Sequence, residues 1–314
     1  MIGNFFKYPF VIFFSLNLSI CLSQENDIKL IKDRIYQVLI SNDSNLSFPY
    51  TFTTDEELDK ILNEFDGEKW PYIEYDDISR ENFDNRIHTR NLVILASSYK
   101  NMNSKYFNNS KVKRTIISAL KFWCDNDFIG ENWWNNQIGT PNDLVHLMLI
   151  IGDELPKHLI SISQKIISRA NIYSGGSRPG GDRIKVCSIA AKNQLFLNDF
   201  NQFNHIMKII ESEIKFVNWI GRDFGYTFTN SNSGGLGSFK NANGRGLQYG
   251  NSFHHRTDGV NNTLSYGYGY AKAFIEWAHY NRGTKFSFSY DKIKMLIDYF
   301  LDGIVKTSVF GKYP

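Results

Sequence analysis

The sequence predicts an all-α protein, and three observations support that prediction. Apolar residues recur at helical spacing in many segments, the segments are joined by mostly short connections, and strand-like alternation persists only briefly, at residues 224–228. Short connections favour antiparallel neighbours, so we expect a series of helical hairpins. With 314 residues, 42% of them hydrophobic, the chain can bury a large core as one big domain or two ordinary ones.

The predicted helices fill most of the chain. The first covers residues 27–40, and the second begins at Thr54, with Glu57 at the capping-box position. Cys124 and Cys187 fall within apolar helical patterns, so we expect buried thiols rather than a disulfide. The further predicted helices cover residues 88–99, 111–124, 141–151, 156–170, 184–197, 201–217, 266–280 and 290–304.

Residues 1–23 have the pattern of a secretory signal peptide, since Lys7 is followed by a short apolar run that ends in small residues. We therefore expect a mature chain of residues 24–314 that is secreted or periplasmic. Cys21 offers a lipid anchor as an alternative, but Ile20 before it is not the small residue that lipidation prefers. No other segment of the sequence is long enough to span a membrane.

The composition limits the classes of partner. The net charge is only +3, from 35 basic and 32 acidic residues, which argues against bulk nucleic-acid binding. Aromatic residues make up 15% of the chain. Flat aromatic surfaces suit sugar rings, although most aromatic side chains simply pack in cores.

The first candidate cluster is the Asn- and Trp-rich segment 132–141. Adjacent Trp133 and Trp134 cannot both face one helix core, so we expect at least one exposed indole beside the amides of Asn135 and Asn136. An indole can stack on a sugar ring, and amides can hydrogen-bond to its hydroxyl groups. The alternative is a core tryptophan followed by a helix start at the Thr-Pro pair that ends the segment.

The second cluster is the glycine-rich run 175–183, which leads into a helix through Asp182 and Arg183. Glycines let a backbone approach a ligand closely, and a helix start is a natural anion site. The alternative is a flexible turn in which Asp182 caps the helix. The run lacks the Gly-Lys-Ser/Thr ending of a phosphate-binding loop.

The third cluster contains Tyr249, His254, His255 and Arg256, and it precedes a helix that begins at Tyr266. Adjacent histidines rarely reach one metal ion, so a metal site is disfavoured. A tyrosine with His and Arg suits proton abstraction, because Arg lowers the phenol pKa and His can orient or neutralise the substrate. The alternative is a surface loop that its aromatic residues pack down.

Together these blocks resemble the helical domain of polysaccharide lyase family 8, which includes the hyaluronate, chondroitin and xanthan lyases. The resemblance covers about residues 89–314, and its most specific part is the Asn-Trp-Trp-x-Asn-x-Ile-Gly-x-Pro block. It implies an incomplete α/α toroid of helical hairpins with a long cleft. It also implies cleavage of an acidic polysaccharide by β-elimination, giving an unsaturated uronyl product without any cofactor.

The resemblance also implies roles for single residues. Tyr266 matches the family's tyrosine base, which often serves as the acid too, through the Ser-Tyr-Gly that heads its helix. His255 is the best match for the family's histidine, His254 is a close rival, and Arg256 completes the catalytic candidates. The residues expected to bind substrate are Trp133, Trp134, Asn135, Asn136, Asp182, Arg183 and Tyr249.

Two departures from the family pattern keep a second hypothesis open. Asp182 stands where many members have Asn, and its carboxylate would repel a substrate carboxylate unless it is protonated or paired, for instance with Arg183. The family continues into β-sandwich domains beyond the position of Pro314, so we expect a truncated lyase. The second hypothesis is therefore a non-catalytic or vestigial domain that binds acidic polysaccharide.

A third hypothesis is a glycoside hydrolase that uses paired carboxylates such as Asp125, Asp127 and Glu131. For the lyase, the motifs favour chondroitin or hyaluronan over xanthan. We expect a monomer that binds an acidic polysaccharide and no nucleic acid.

Overall fold

The computed structural model describes residues 25–41, 53–217, 245–255 and 260–308. Their helices are α1 (25–40), α2 (Asp55–Asn63), α3 (Asn85–Lys100), α4 (Ser110–Asn126), α5 (Thr140–Ile151), α6 (Lys157–Ile167), α7 (Gly181–Leu197), α8 (Phe200–Ser212), α9 (Tyr266–Asn281) and α10 (Tyr290–Asp298). A π-helical turn, Asn135–Gly139, leads into α5, and another, Tyr299–Val305, continues α10. The strands β1 (Gly246–Leu247) and β2 (Phe253–His254) form a short antiparallel hairpin.

The helices from α3 onward form two layers. In the inner layer α3, α5, α7 and α9 contact one another in that order, and in the outer layer α4, α6, α8 and α10 each pack on the inner helix beside them in sequence. The inner helices α3, α5 and α7 are buried on nearly all sides, whereas α6 and α8 bury a single apolar stripe. This is an incomplete α/α toroid, and the prediction of an all-α fold built from hairpins is confirmed.

The four inner helices run in the same direction, so their N-termini lie at one end of the layer. Arg86 in the first turn of α3 contacts Asp143 in the first turn of α5. At the other end, Gly152 after α5 lies against Phe196 in the last turn of α7. The backbone of Gly181, which begins α7, faces the carbonyl oxygen of Tyr266, which begins α9.

Helix α1 lies across the opposite end, where the inner helices finish. Three hydrogen bonds join it to residues near the C-termini of α3, α7 and α9. Ser97 Oγ donates to Leu39 O (2.9 Å), Lys32 Nζ donates to Asn198 Oδ1 (3.2 Å), and Arg34 Nη1 donates to Tyr280 O (2.8 Å). The end of the layer that holds the inner N-termini is therefore the one available for a site.

Some local predictions are confirmed and others are not. The capping box of α2 is present, with Thr54 and Glu57 bonding each other's backbone N–H, and both Cys124 and Cys187 are buried free thiols. Helix α7 begins at Gly181, three residues before the predicted start, so Asp182 lies inside the first turn and is not the cap. The predicted signal peptide (1–23), the alternation at 224–228 and the last residues, 309–314, lie outside the described residues.

Candidate active site

The glycine-rich turn brings the three predicted clusters together at the N-terminal end of the inner helices. A Cβ on Gly176 would collide with the Gln137 side chain and lie 2.6 Å from a ring carbon of Trp133. At the other end of the turn, Gly180 (φ +83°) and Gly181 approach the ring of Phe253. The sequence predicts that these glycines let backbone approach a ligand, but here the close approach is to the protein's own side chains. Their effect is to join the tryptophan segment to the histidine loop.

Both tryptophans of the first cluster are half-buried, and each has an arginine over its ring. The guanidinium of Arg178 lies 5.1 Å from the Trp133 ring centroid, and that of Arg86 lies 5.0 Å from the Trp134 ring centroid. Such contacts are stabilised by the attraction of a cation to the electron-rich ring face. The two indoles, which we call the tryptophan platform, are therefore each packed against a guanidinium.

Asp143 and Thr89 fix the position of Arg86. The guanidinium of Arg86 forms two hydrogen bonds with the Asp143 carboxylate, each of 3.2 Å, and Thr89 Oγ1 donates to the same carboxylate at 2.8 Å. All three residues are buried. Both charges and the hydroxyl group are satisfied by one another, and this bonded set lies beneath Trp134.

The side-chain amides of this segment have different surroundings. Asn136 bonds the backbone of Gly130 in both directions, accepting from its N–H at 3.0 Å and donating to its carbonyl at 2.7 Å, so it shapes the loop. Gln137 accepts a hydrogen bond from Ser174 at 3.1 Å. Asn135 is buried. Of the two predicted amides, Asn136 is therefore engaged within its own loop.

Asp182 and Arg183 each form a buried ion pair, but not with each other. Arg245 Nη2 lies 3.3 Å from the Asp182 carboxylate, and Arg183 Nη1 lies 2.8 Å from Glu213. The expected pairing of Asp182 with Arg183 is therefore wrong, because the adjacent residues point to different partners. Burial raises the pKa of Asp182, and the positive charge of Arg245 opposes that rise. Asp182 consequently does not present a bare charge at the head of α7.

Glu213 ties the turn to two further elements. Besides the Arg183 guanidinium, its carboxylate accepts the backbone N–H of Gly180 at 3.2 Å. Its backbone carbonyl accepts the buried hydroxyl group of Tyr270 in α9 at 2.8 Å. The end of α8, the head of α7 and the body of α9 are thus held together beneath the site.

The catalytic candidates His255 and Tyr266 are in direct contact. Their rings are 3.7 Å apart between centroids and 1° from parallel. Strand β2 sets the position of His255, because Phe253 is fully buried and Asn262 bonds the backbone of both Phe253 and His255. Tyr266 begins α9 and is 44% exposed, so its ring is accessible from solvent.

The other predicted members of the third cluster have different positions. His254 is half-buried and pairs in β2 with Gly246 of β1, so its side chain is not the one stacked on Tyr266. Tyr249 is 69% exposed and stacks on Phe216, with ring centroids 5.0 Å apart. It adds an aromatic surface at the edge of the site. Arg256 lies outside the described residues.

Two of the three carboxylates of the glycoside hydrolase hypothesis are engaged with neighbouring cations. Asp125 pairs with Lys121 on the same helix, and Asp127 pairs with Arg169. Within the described ranges, no three His, Cys, Asp or Glu side chains lie close enough together to hold a metal ion. None of the helices among those same residues has the length and apolar character that crossing a membrane requires.

Arg86, Glu213 and Arg245 are parts of the site that the sequence does not predict. Their partners lie 57, 30 and 63 residues away in the sequence, so no local pattern marks them. Arg178 stood within the glycine-rich run, but its contact with Trp133 depends on the folding of that run against the tryptophan segment. Only the tertiary structure reveals these four.

The chain is similar to proteins of one family. Residues 37–219 match the family described as polysaccharide lyase family 8, N-terminal α-helical domain. Chondroitinase-AC of Pedobacter heparinus is 22% identical over 262 residues, which cover 82% of this chain and 33% of that protein. The chain therefore spans about a third of the length of this curated relative.

Solved structures agree on the fold. A chondroitinase AC lyase, studied as enzyme–oligosaccharide complexes, superposes with a TM-score of 0.71 at 21% identity, covering 88% of this chain and 36% of that one. Paenibacillus xanthan lyase superposes with a TM-score of 0.63 at 18% identity, covering 89% of this chain and 25% of that one.

Proposed function

The chain belongs to polysaccharide lyase family 8, and from this membership we propose that it provides the helical domain of a lyase that cleaves a uronic-acid-containing polysaccharide by β-elimination. The observation that carries the proposal is the face-to-face contact of His255 and Tyr266 at the end of the toroid where the inner helices begin. The proposed substrate is of the chondroitin or hyaluronan class, since similar proteins bear the name chondroitinase AC. The proposed enzyme is a secreted or periplasmic monomer.

The reaction needs three actions on one uronic acid. The C5 proton lies next to a carboxylate and is very weakly acidic, so the carboxylate must be neutralised while a base removes the proton. The electrons of the C5–H bond form a C4–C5 double bond as the C4–O bond breaks. An acid then protonates the leaving oxygen, and neither an oxidant nor a reductant takes part.

Tyr266 is the proposed base and then the proposed acid. Its position as the first residue of α9, with 44% of its surface exposed, lets the phenol reach a polymer in the cleft. His255 is proposed to orient or neutralise the substrate carboxylate. Because the two ring centroids are 3.7 Å apart, both polar groups can reach the same sugar. Arg256, which follows His255 in the sequence, is proposed as a further cation.

The charge around the cleft supports an acidic polymer as substrate. Arg178 lies against the indole of Trp133, so a sugar that stacks there also meets positive charge, whereas the charge of Arg86 is balanced by the Asp143 carboxylate. The four inner helices direct their N-termini, which carry partial positive charge, to the same end. We propose that Trp133 and Trp134 stack on the sugars and that Asn135 hydrogen-bonds to them.

One assay on the full chain tests this proposal. Chondroitin, hyaluronan and xanthan are supplied separately, and the ultraviolet absorbance of the unsaturated product is followed together with new reducing ends. A rise of both with chondroitin or hyaluronan is the expected result. New reducing ends without absorbance would indicate a glycoside hydrolase instead.

A non-catalytic polysaccharide-binding domain is the second candidate function, and Asp182 favours it. A carboxylate occupies the head of α7 and is bonded to Arg245, so this position offers no free amide to a substrate carboxylate. The tryptophan platform would serve a binding domain equally well. Binding of chondroitin oligosaccharide without any product absorbance from the full chain would support this candidate over the lyase.

A further inference from the structure

We propose that the π-helical turn Tyr299–Val305 is the element that positions His255 against Tyr266, with Gly303 and Tyr299 as its positioning residues. The inference rests on the proposed function, in which those two rings act on the substrate. In this turn Lys306 N donates to Leu301 O at 3.2 Å, which is the i→i+5 bond of a π-helix. Such turns are rare in proteins, but those that occur inside α-helices often lie at functional sites.

Gly303 lets the turn touch the loop that carries the histidines. A Cβ at this position would collide with the carbonyl oxygen of Asn251 and lie 2.9 Å from the Tyr299 ring. Asn251 belongs to the tight connection between β1 and β2 and has a φ of +57°. Its carbonyl cannot turn aside without disturbing that connection. The loop therefore rests on the bare backbone of Gly303 two residues before β2 begins.

Tyr299 supports the other partner of the stack. Its side chain is fully buried, and its hydroxyl oxygen occupies the space that a Cβ on Gly267 would need. Gly267 directly follows Tyr266. The hydroxyl group of Tyr299 also donates to the Thr263 carbonyl at 3.5 Å, just before α9 begins. The head of α9 thus rests on the ring of Tyr299.

Asn262 joins the two supported segments. Its N–H donates to Phe253 O at 2.7 Å, its side-chain oxygen accepts from His255 N at 3.3 Å, and its carbonyl accepts from Gly267 N at 2.9 Å. The π-turn contacts this bonded unit at both ends, through Gly303 on the loop side and Tyr299 on the helix side. An α-helical continuation of α10 would rotate Gly303 away from Asn251, which is a reason for the widened turn to lie here.

The first test measures the stack itself and does not depend on turnover. The full chain is labelled with ¹³C-histidine, and the His255 signal is assigned by its loss in His255→Gln. In the wild type, the His255 ring protons are expected upfield of those of an exposed histidine because they lie over the Tyr266 ring. Gly303→Ala is expected to abolish that shift, whereas Gly250→Ala, in the same loop with open space around its added methyl group, retains it.

The second test is kinetic. Gly303→Ala is expected to lower kcat by roughly tenfold to a hundredfold, with KM changed less than about twofold, because the reacting groups are displaced while the platform is intact. Ile304→Val, a conservative change at a buried position of the same turn, is the matched control and keeps kcat near that of the wild type. Equal kcat losses in Gly303→Ala and Ile304→Val would overturn the positioning role.

A third variant covers the case in which Gly303→Ala does not fold. Tyr299→Leu removes the support beneath Gly267 without adding a collision, and it is expected to reduce the upfield shift of His255. A folded variant that keeps the full shift would overturn the proposal. If the wild type shows the shift but no turnover, the lyase function fails while the positioning of the two rings stands.

Discussion

His255 and Tyr266 stack face to face, with ring centroids 3.7 Å apart and ring planes 1° from parallel. The two residues are eleven positions apart in the sequence, one after a strand and the other at the start of a helix. Their contact distinguishes His255 from its neighbour His254, which the sequence could not do.

The first prediction concerns these two histidines. His255→Gln is expected to lower kcat about a hundredfold, and His254→Gln less than about tenfold, because only His255 contacts the ring of Tyr266. The initial rate of product absorbance on chondroitin measures both variants. A larger loss in His254→Gln would transfer the catalytic role to that residue.

The second prediction concerns the charge on the platform. Arg178→Met keeps an unbranched apolar side chain near Trp133 but removes the cation. The Kd for chondroitin oligosaccharide is expected to rise about tenfold at low ionic strength, and the difference should shrink at about 1 M salt because screening is then strong. Calorimetric titration measures this. Lys294→Met, at an exposed position of α10, is the control, and an equal effect there would mean that only net charge matters.

The third prediction concerns the buried pair beneath the site. Glu213→Gln leaves the Arg183 guanidinium buried without its counter-charge and is expected to lower the free energy of unfolding by about 3 kcal/mol. Asp298→Asn breaks an exposed ion pair and should cost less than about 1 kcal/mol. Urea unfolding of both variants provides the comparison. Similar values for the two would show that the Arg183–Glu213 pair does not support the fold.

The fourth prediction concerns the stability of the fold in acid. His88 is fully buried between Tyr75 Oη (2.8 Å) and Ala119 O (2.9 Å), and burial lowers its pKa from 6.5 to about 4. The unfolded chain therefore binds this proton at a higher pH than the folded chain does. The stabilisation is complete above pH 6.5 and is lost as pH falls toward 4, by up to about 3 kcal/mol.

Urea unfolding at a series of pH values measures that loss. His88→Gln removes the titrating group, so its free energy of unfolding should fall less steeply between pH 6.5 and 4 than that of the wild type. Identical slopes in the two proteins would mean that His88 is not responsible.

The local parts of the site could be predicted from the sequence because they are encoded in neighbouring residues. The paired tryptophans, the glycine-rich run and the tyrosine at the head of α9 are each visible within a few positions. Helical spacing likewise predicts most of α1 to α10. These features depend on local geometry, which short segments specify well.

The remaining parts depend on contacts between distant segments. Asp182 is bonded to Arg245, 63 residues away, and no pattern near Asp182 indicates this partner over the adjacent Arg183. The π-helical turns also escaped prediction, because the apolar spacing of Tyr299 to Val305 is compatible with an ordinary helix. The close packing of Gly303 against Asn251 becomes visible only when the two segments are placed side by side.

The measurement that tests the central claim most directly is the effect of Tyr266→Phe on turnover and on binding in the same preparation. The change removes one hydroxyl group from a partly exposed ring and keeps the stack on His255, so the fold and the affinity for chondroitin oligosaccharide should be preserved. Product absorbance should fall by roughly a thousandfold or more, because the base and acid are lost together. Turnover by Tyr266→Phe at the wild-type rate would contradict the assignment of Tyr266 as the catalytic base.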